Sequence, residues 1–550
     1  MKKIICLISI ALSLTAMGAT RSSKKDISRS LDIFTAIFKQ LQTSYVDTID
    51  AEKTMTKAIN AMLADIDPYT NYIPEEEQES FMTISTGTYG GIGSMIMQRD
   101  GRVYISEPYE NTPASRAGLR AGDRFLKIDT INVEKWTSDS ISNRLRGQAG
   151  TSLTITVERP YSPDSVLTFD LTRAKVEIPS VPYYGMVSDS VGYISLTTFN
   201  EHSADDVRKA LLDLRQNPSL SGVILDLRDN GGGLMESAIK IVGLFTPKGT
   251  EVLRTRGRGQ LNEQLYKTTN SPVDTKLPLA VLINDGSASS SEIVAGALQD
   301  LDRAVIIGQR SFGKGLVQST RQLPYNGLLK VTIAKYYIPS GRLIQAIDYS
   351  HRNPDGTVAR IPDSLTTVYH TAAGRPVRDG GGITPDVPIT LPEASRTAYN
   401  IVTSYSIFDF ANRYAATHDS LPAPSEFEID DELYAQFKAS VDTSKVQYDK
   451  LTDTFLDEFR NLTKREGYLT DTVSAQIETL RNLLRHDLDS DLDIHRDEIS
   501  KYLANELLQR YYYQKGVTEW NSTHDDTIER AAAILTDPEE YRSLLTPKKD

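Results

Sequence analysis

LAVLINDGSASSSEIVAGALQD, running from Leu279 to Asp300, holds the change of period that decides the fold. Leu279 to Ile283 is a continuous apolar run of strand length, as expected of a strand buried on both faces. Asn284 to Ser291 is polar and rich in serine. Ile293, Val294, Ala297 and Leu298 then recur at helical spacing. Strand, loop and helix in this order form one unit of α/β layering. The unit recurs on both sides. Gly192 to Phe199, Val223 to Leu227, Ala304 to Ile307 and Leu329 to Tyr337 read as strands. Asp205 to Leu214, Leu234 to Phe245 and Glu292 to Leu301 read as helices. An α/β core is therefore expected over 183–390.

Further out the pattern changes. Residues 26–84 read as helical, with Leu31, Phe34, Phe38 and Leu41 on one face. Asp67-Pro68-Tyr69-Thr70 ends that run, because proline biases its predecessor out of the helix. Residues 86–175 carry short alternating strands at Val103 to Ile105 and Leu153 to Val157. Glycine turns and a short helix punctuate them, as in a small, mostly β module. Residues 393–550 read as helical: Val473, Ile477, Leu480 and Leu484 form one stripe, and Ile499, Leu503, Leu507 and Tyr511 another. Asp487 to Asp491 reads as a solvated acidic loop. The expected organisation is 1–20 leader, 26–84 helical segment, 86–175 β module, 183–390 core and 393–550 helical domain.

A chain of 550 residues with net charge −12 lacks the basic surface of a nucleic-acid binder. Lys2 and Lys3, the apolar run Ile4 to Thr15 and the small residues near Ala19 read as a cleavable export signal. The run is too short to span a bilayer. Cleavage would also remove Cys6, the single cysteine, and with it any thiol nucleophile, disulfide or thiolate metal site. Export without a stable membrane span is expected, with the periplasm as destination.

Three glycine- or serine-rich loops each follow an expected buried strand: Asp226 to Gly233, Asn284 to Glu292 and Gly308 to Gln318. Such loops are where α/β sheets collect catalytic groups. Ser289 would sit at a helix N-terminus, whose unpaired N–H groups favour an oxyanion. Ser289-x-x-Glu292 is equally a capping box. Gly308-x4-Gly313-Lys314 resembles a nucleotide loop, but Gly315 stands where magnesium binding needs serine or threonine. None of the seven histidines falls in these loops; a distant one could still fold back, since triads are geometric and not sequential, but a lysine base fits better where the unusual loops are. That role needs a neutral amine, with a pKa lowered from about 10.4 to roughly 7–8 by a dry pocket. Phe312 and Val317 flank Lys314 with apolar bulk.

At these residues the chain resembles the carboxyl-terminal processing (tail-specific) serine proteases. The motifs are Ser287-Ala288-Ser289-Ser290-Ser291-Glu292-Ile293, Ala297-Leu298-Gln299-Asp300 and Ser311-Phe312-Gly313-Lys314-Gly315-x-Val317-Gln318. The resemblance implies a ClpP/crotonase-like protease core and a Ser289 nucleophile with Lys314 as general base. It also implies Gln318 as orienting residue and Asp300 as support. The Asp226 to Gly233 segment resembles the family's oxyanion loop, which implies the Gly232 and Ser290 N–H groups as donors. Gly90-Gly91-Ile92-Gly93, Pro113-Ala114 and Ala117 to Asp123 are similar to its PDZ domain. That implies capture of a substrate's C-terminal carboxylate by the Gly90–Gly93 turn, although a plain β-turn would use the same glycines. Gly382-Ile383-Thr384-Pro385-Asp386 is similar to the family's closing motif. Ser290 departs from the usual alanine, and Tyr69 from the usual histidine. The implied fold class is a multi-domain α/β protein with an inserted PDZ-like domain, an N-terminal helical segment and a C-terminal all-α domain. The implied reaction is peptide-bond cleavage without a cofactor or metal, on proteins with free C-terminal tails. An adaptor and a homodimer remain open. A non-catalytic scaffold, or a binding protein for oligosaccharide or peptide, are the competing classes.

Overall fold

The computed structural model describes residues 24–162, 164–258, 263–352, 357–446, 451–484 and 487–547. The expected leader lies outside them. No described helix is long and apolar enough to cross a membrane. The chain divides into two compact units, one formed by residues up to Ile73 with Thr320–Val331, the other by Pro74–Ser319 with Thr332–Asp550.

In the first unit the expected helices are Lys24–Ser44 and Ala51–Ala64, the second capped by Asp50, whose side chain accepts from Lys53 N–H. Ile27, Leu31, Phe34, Ile37 and Leu41 are all exposed. The helical period was legible, but no residue of the first helix is buried. Asp67 makes the stop: Oδ1 accepts the N–H groups of Tyr69 and Thr70 at 2.8 and 2.7 Å. The short strand Asn71–Ile73 follows and pairs antiparallel with Leu328–Lys330. A strand inside 26–84 was not expected.

The second unit holds the six-stranded sheet that positions the site. Its order is Tyr184–Met186, Val191–Ser195, Gly222–Asp226, Leu279–Ile283, Val305–Gly308 and Val387–Pro388. The first pair is antiparallel and the others are parallel. Ile194, Val223, Leu225, Val281, Ile283 and Ile306 pack with the helices Ser203–Leu214, Met235–Phe245 and Ser290–Asp300 on one face. Tyr193, Ile224, Ala280, Leu282 and Ile307 alternate to the other face. There they meet Ile528, Ala531, Ile534 and Leu535 of the helix Asp526–Thr536. The C-terminal region thus closes the second face of the core sheet.

The β module is an antiparallel sheet in the order Ser94–Arg99, Arg102–Pro108, Arg124–Ile128, Ser152–Glu158, Val166–Thr172. Its core holds Ile92, Val103, Ile105, Phe125, Ile128, Ile141, Ile155 and Val157. Asp123, fully buried, takes Arg159 in a bidentate pair at 2.8 and 2.7 Å. The helical region has its own core, built around Ile401, Phe410, Phe437, Leu503, Leu507 and Trp520. One reading there is corrected. Asp487 to Asp491 is not a loop: Asp487 caps the helix Leu488–Ile494, its side chain accepting from Ser490 N–H. The stripe Val473, Ile477, Leu480, Leu484 falls on the helix Asp471–Leu483 and its C-cap, as expected, with Ile477 buried and Leu480 and Leu484 exposed.

Polar contacts at Arg99 and at Glu107 tie the β module to the helical region. Arg99 pairs bidentately with Asp409 at 2.7 and 2.9 Å. Buried Glu107 accepts Gln509 Nε2 at 2.8 Å and Gln514 N–H at 3.0 Å. The long helix Arg496–Thr523 is kinked one residue before Gln514, at Tyr513 (φ 55°, ψ −166°). Burial pushes the Glu107 carboxyl above its usual range, with the Gln509 and Gln514 donors and Arg510 opposing. An acid whose folded pKa is raised keeps its proton longer in the folded state, so its contribution favours folding less as pH rises through that window. The expected result for Glu107→Gln is a melting temperature that falls less between about pH 4.5 and neutrality than the wild type's, read by calorimetry across that range.

Candidate active site

The three loops leave the carboxyl ends of three adjacent parallel strands, ending at Asp226, Ile283 and Gly308. The glycine loop and the serine loop are stitched together. Ser287 Oγ donates to Leu227 O at 2.7 Å, Ala288 N–H to Asn230 O at 3.0 Å, Ser291 Oγ to Asn230 O at 2.7 Å, and Ser290 Oγ to Gly233 O at 3.0 Å. Serines are useful at such positions because a hydroxyl satisfies a buried carbonyl that the sheet leaves over.

Ser289 precedes the first turn of the helix Ser290–Asp300 with φ 55° and ψ −109°. This is a sparsely populated conformation for a non-glycine residue, of the kind that persists only where surroundings over-determine it. A serine on a strained strand-to-helix turn is thrust out of the backbone surface, as at a nucleophile elbow. Both polar backbone groups of Ser289 are held. Its N–H donates to Glu292 Oε2 at 2.9 Å, and its carbonyl accepts Tyr336 Oη at 3.1 Å.

The same two side chains hold Lys314. Its N–H donates to Glu292 Oε2 at 2.8 Å, and its carbonyl lies 2.9 Å from Tyr336 Oη, whose one hydrogen is shared between this carbonyl and that of Ser289. Glu292, with no exposed surface, also accepts Ser311 Oγ at 2.5 Å and Gly313 N–H at 2.7 Å. Burial raises its pKa, and the four donors oppose that rise. The carboxylate at the third position of the capping box therefore does more than cap: it ties the serine loop to the lysine loop. Ser289 and Lys314 are both half-buried. The lysine loop runs into the strand Leu316–Gln322, not into a helix, so no nucleotide-type phosphate cradle forms.

The other expected residues fall as follows. Gln318 lies on that strand, and its Nε2 donates to Thr332 Oγ1 at 3.2 Å. Asp300, at the far end of the serine helix, pairs with buried Arg342 at 2.9 Å and accepts Ser340 N–H at 2.9 Å. Gly232 lies against the serine: a Cβ there would meet Ala288 O at 2.7 Å and Ser290 N at 2.9 Å, at φ +97°. Its N–H, expected to face a substrate, here donates to Asn230 Oδ1 at 2.9 Å. Ser290 is the first helical residue, whose N–H has no carbonyl within its own helix. Gly90 and Gly91 are not a free turn but pair with Lys175 and Ala174 in a two-stranded ladder. A Cβ on Gly90 would meet Gly147 O at 2.2 Å, a packing reason for glycine at that position. Ile92 is a core residue, while its carbonyl accepts Ala114 N–H. Gly93 turns with φ +77°, and its carbonyl accepts Tyr109 N–H and Thr112 Oγ1.

Tyr336 and Asn230 escaped the reading of the sequence. Tyr336 stands in a strand whose alternation signals only burial. Asn230 was read only as a member of the Asp226 to Gly233 loop, with no role of its own.

The chain thus combines a mostly parallel core sheet with three loops at the carboxyl ends of its strands, an antiparallel β module and a helical region. Residues 190–357 match peptidase family S41, residues 104–159 a PDZ domain, and residues 397–535 the C-terminal helical domain of probable PDZ-proteases. The chain is 37% identical over 343 residues to a carboxy-terminal-processing protease of Bartonella bacilliformis, covering 62% of this chain and 78% of that one. It is 31% identical to a probable CtpA-like serine protease of Staphylococcus aureus over 56% of this chain and 61% of that one. Among solved structures, a photosystem II D1 C-terminal processing protease shares 26% identity, covering 65% of this chain and 88% of that one with a TM-score of 0.35. The chain belongs to the carboxy-terminal-processing family of serine proteases.

Proposed function

We propose that this protein is an exported, periplasmic endopeptidase that uses Ser289 as nucleophile and Lys314 as general base on proteins presented by their C-terminal tails. In this reading 86–175 is the tail-reading module, 183–390 the catalytic core, and 26–84 and 393–550 are accessory helical segments. The observation that carries it is the double clamp: one buried carboxylate and one buried phenol each grip the backbones of both Ser289 and Lys314. Lys314 takes the Ser289 proton and the alkoxide attacks the peptide carbonyl. Lys314 then returns the proton to the leaving amine, and water, activated by the same amine, releases the acyl group. Gln318 orients the amine, and Asp300 holds the far end of the serine helix. The N–H groups of Ser290 and Gly232 receive the oxyanion, for which Gly232 exchanges Asn230 Oδ1 as its acceptor.

Tail reading by the Gly90–Gly93 segment follows the β-augmentation mode, in which main-chain donors take the terminal carboxylate. The test uses an unstructured protein ending in apolar residues and its C-terminally amidated twin. Cleavage of the free-tail protein at least about 10-fold faster is expected, the cost of one lost charged contact. Equal rates would remove the tail from the recognition scheme. Cleavage of neither, with or without added tail peptide, would favour the non-catalytic scaffold.

A further inference from the structure

We infer that Asp525, supplied by the C-terminal helical domain, is a positioning residue for the glycine loop, acting through Arg228. This rests on the proposed role of that loop in holding the oxyanion. Arg228 lies two residues before Asn230. Its guanidinium is bidentate to Asp226 at the end of the core strand, with Nε to Oδ1 at 3.0 Å and Nη2 to Oδ2 at 2.7 Å. The remaining arm, Nη1, donates to Asp525 Oδ2 at 2.7 Å. Burial works against the charge on Arg228, but the two carboxylates outweigh it and hold its pKa above the ordinary value. Tyr193 Oη donates to Asp226 Oδ2 at 2.9 Å and completes the cluster.

The pair stands at the N-terminal end of the helix Asp526–Thr536, beside the apolar face that this helix packs on the core sheet. Around it lies a cavity of about 540 Å³, lined from the core by Asp226, Arg228 and Asn284 and from the helical domain by Tyr502, Asn521 and Asp525. Beyond Arg228 the loop is rigidly coupled to the candidate oxyanion donors. Asn230, fully buried, donates Nδ2 to Leu196 O at 2.7 Å and accepts Gly232 N–H, while its carbonyl takes Ala288 N–H and Ser291 Oγ. A shift at Arg228 therefore moves the Gly232 peptide and the serine loop together. The bidentate fork to Asp226 fixes the plane of the guanidinium, and the single charge-assisted bond to Asp525 holds its third arm toward the helical domain.

Asp525 has a second task that must be separated from this one. Its Oδ1 caps the helix Asp526–Thr536 by accepting Thr527 N–H at 2.8 Å and Ile528 N–H at 3.2 Å. Asparagine and serine cap as well as aspartate but carry no charge for Arg228, whereas glutamate keeps the charge and caps poorly. The experiment compares Asp525→Asn, Asp525→Ser and Asp525→Glu in the full chain with the free-tail protein substrate, measuring kcat, KM and melting temperature. Asp525→Asn and Asp525→Ser are expected to lower kcat about 10-fold with KM and melting temperature near wild type, the size of one charge-assisted contact. Asp525→Glu is expected to keep more of kcat while melting lower. Wild-type kcat in Asp525→Asn, or losses that track melting temperature across the three variants, would reduce Asp525 to a helix cap. If the wild-type chain cleaves nothing, the proposed function falls and this inference with it; if the wild type cleaves and Asp525→Asn matches it, only the inference falls.

Discussion

Lys314→Met is expected to lower kcat by about 10³- to 10⁴-fold while leaving the protein folded, the loss typical of removing a general base. Methionine matches the length of the lysine stem and needs no hydration, so a half-buried position accepts it. The contacts that place the residue are made by its backbone, which donates to Glu292 and accepts from Tyr336, and both survive the substitution. A rate loss without a stability loss would therefore report the amine itself. Ser289→Ala is expected to match it in single-turnover assays, and the double variant to be no worse than either single one, because a nucleophile and its base act as a unit. Wild-type turnover by Lys314→Met would end the Ser289–Lys314 assignment.

Glu292→Gln tests how the two loops are kept in register. The carboxylate uses both oxygens fully, Oε1 for Ser311 and Gly313 and Oε2 for Ser289 and Lys314. An amide of the same shape has one acceptor oxygen, so its NH₂ must face two donors at a fully buried position. The expected cost is about 3 kcal/mol of stability, read by urea unfolding, and at least about 100-fold in kcat. Both effects should appear together, because the strained Ser289 turn and the lysine loop lose the same anchor. A variant that unfolds like wild type and keeps its rate would show that Tyr336 and the sheet alone set the geometry.

The two experiments concern residues of different legibility. The serine loop and the lysine loop could be singled out because each is rich in glycine or serine after an apolar run, a pattern contained in about ten residues, whereas the choice of Ser289 within its loop came from the resemblance to the protease family. Glu292 was visible only as the third position of a capping box, which is a correct but partial account of it. Gly232 lies against Ser289, and its N–H donates to Asn230, which no spacing in a run of glycines could indicate. The Asp487 to Asp491 stretch was misread because acidic residues suggest solvation, whereas Asp487 supplies the cap and Asp491 is buried on its helix.

Local chemistry alone determined the strand-loop-helix rhythm of the core, the antiparallel β module, the helical C-terminal region and the loops that carry Ser289 and Lys314. Hydrophobic period, proline stops and turn residues act over a few positions, so they can be read without knowing what lies opposite. Tertiary structure alone decided what meets those loops. Tyr336 lies 47 positions beyond Ser289, and Asp525 lies 297 beyond Arg228. Tertiary structure also decided that the helix Asp526–Thr536 covers the second face of the core sheet. A buried polar group takes whichever partner folding brings within hydrogen-bond reach, and sequence distance carries no information about that choice.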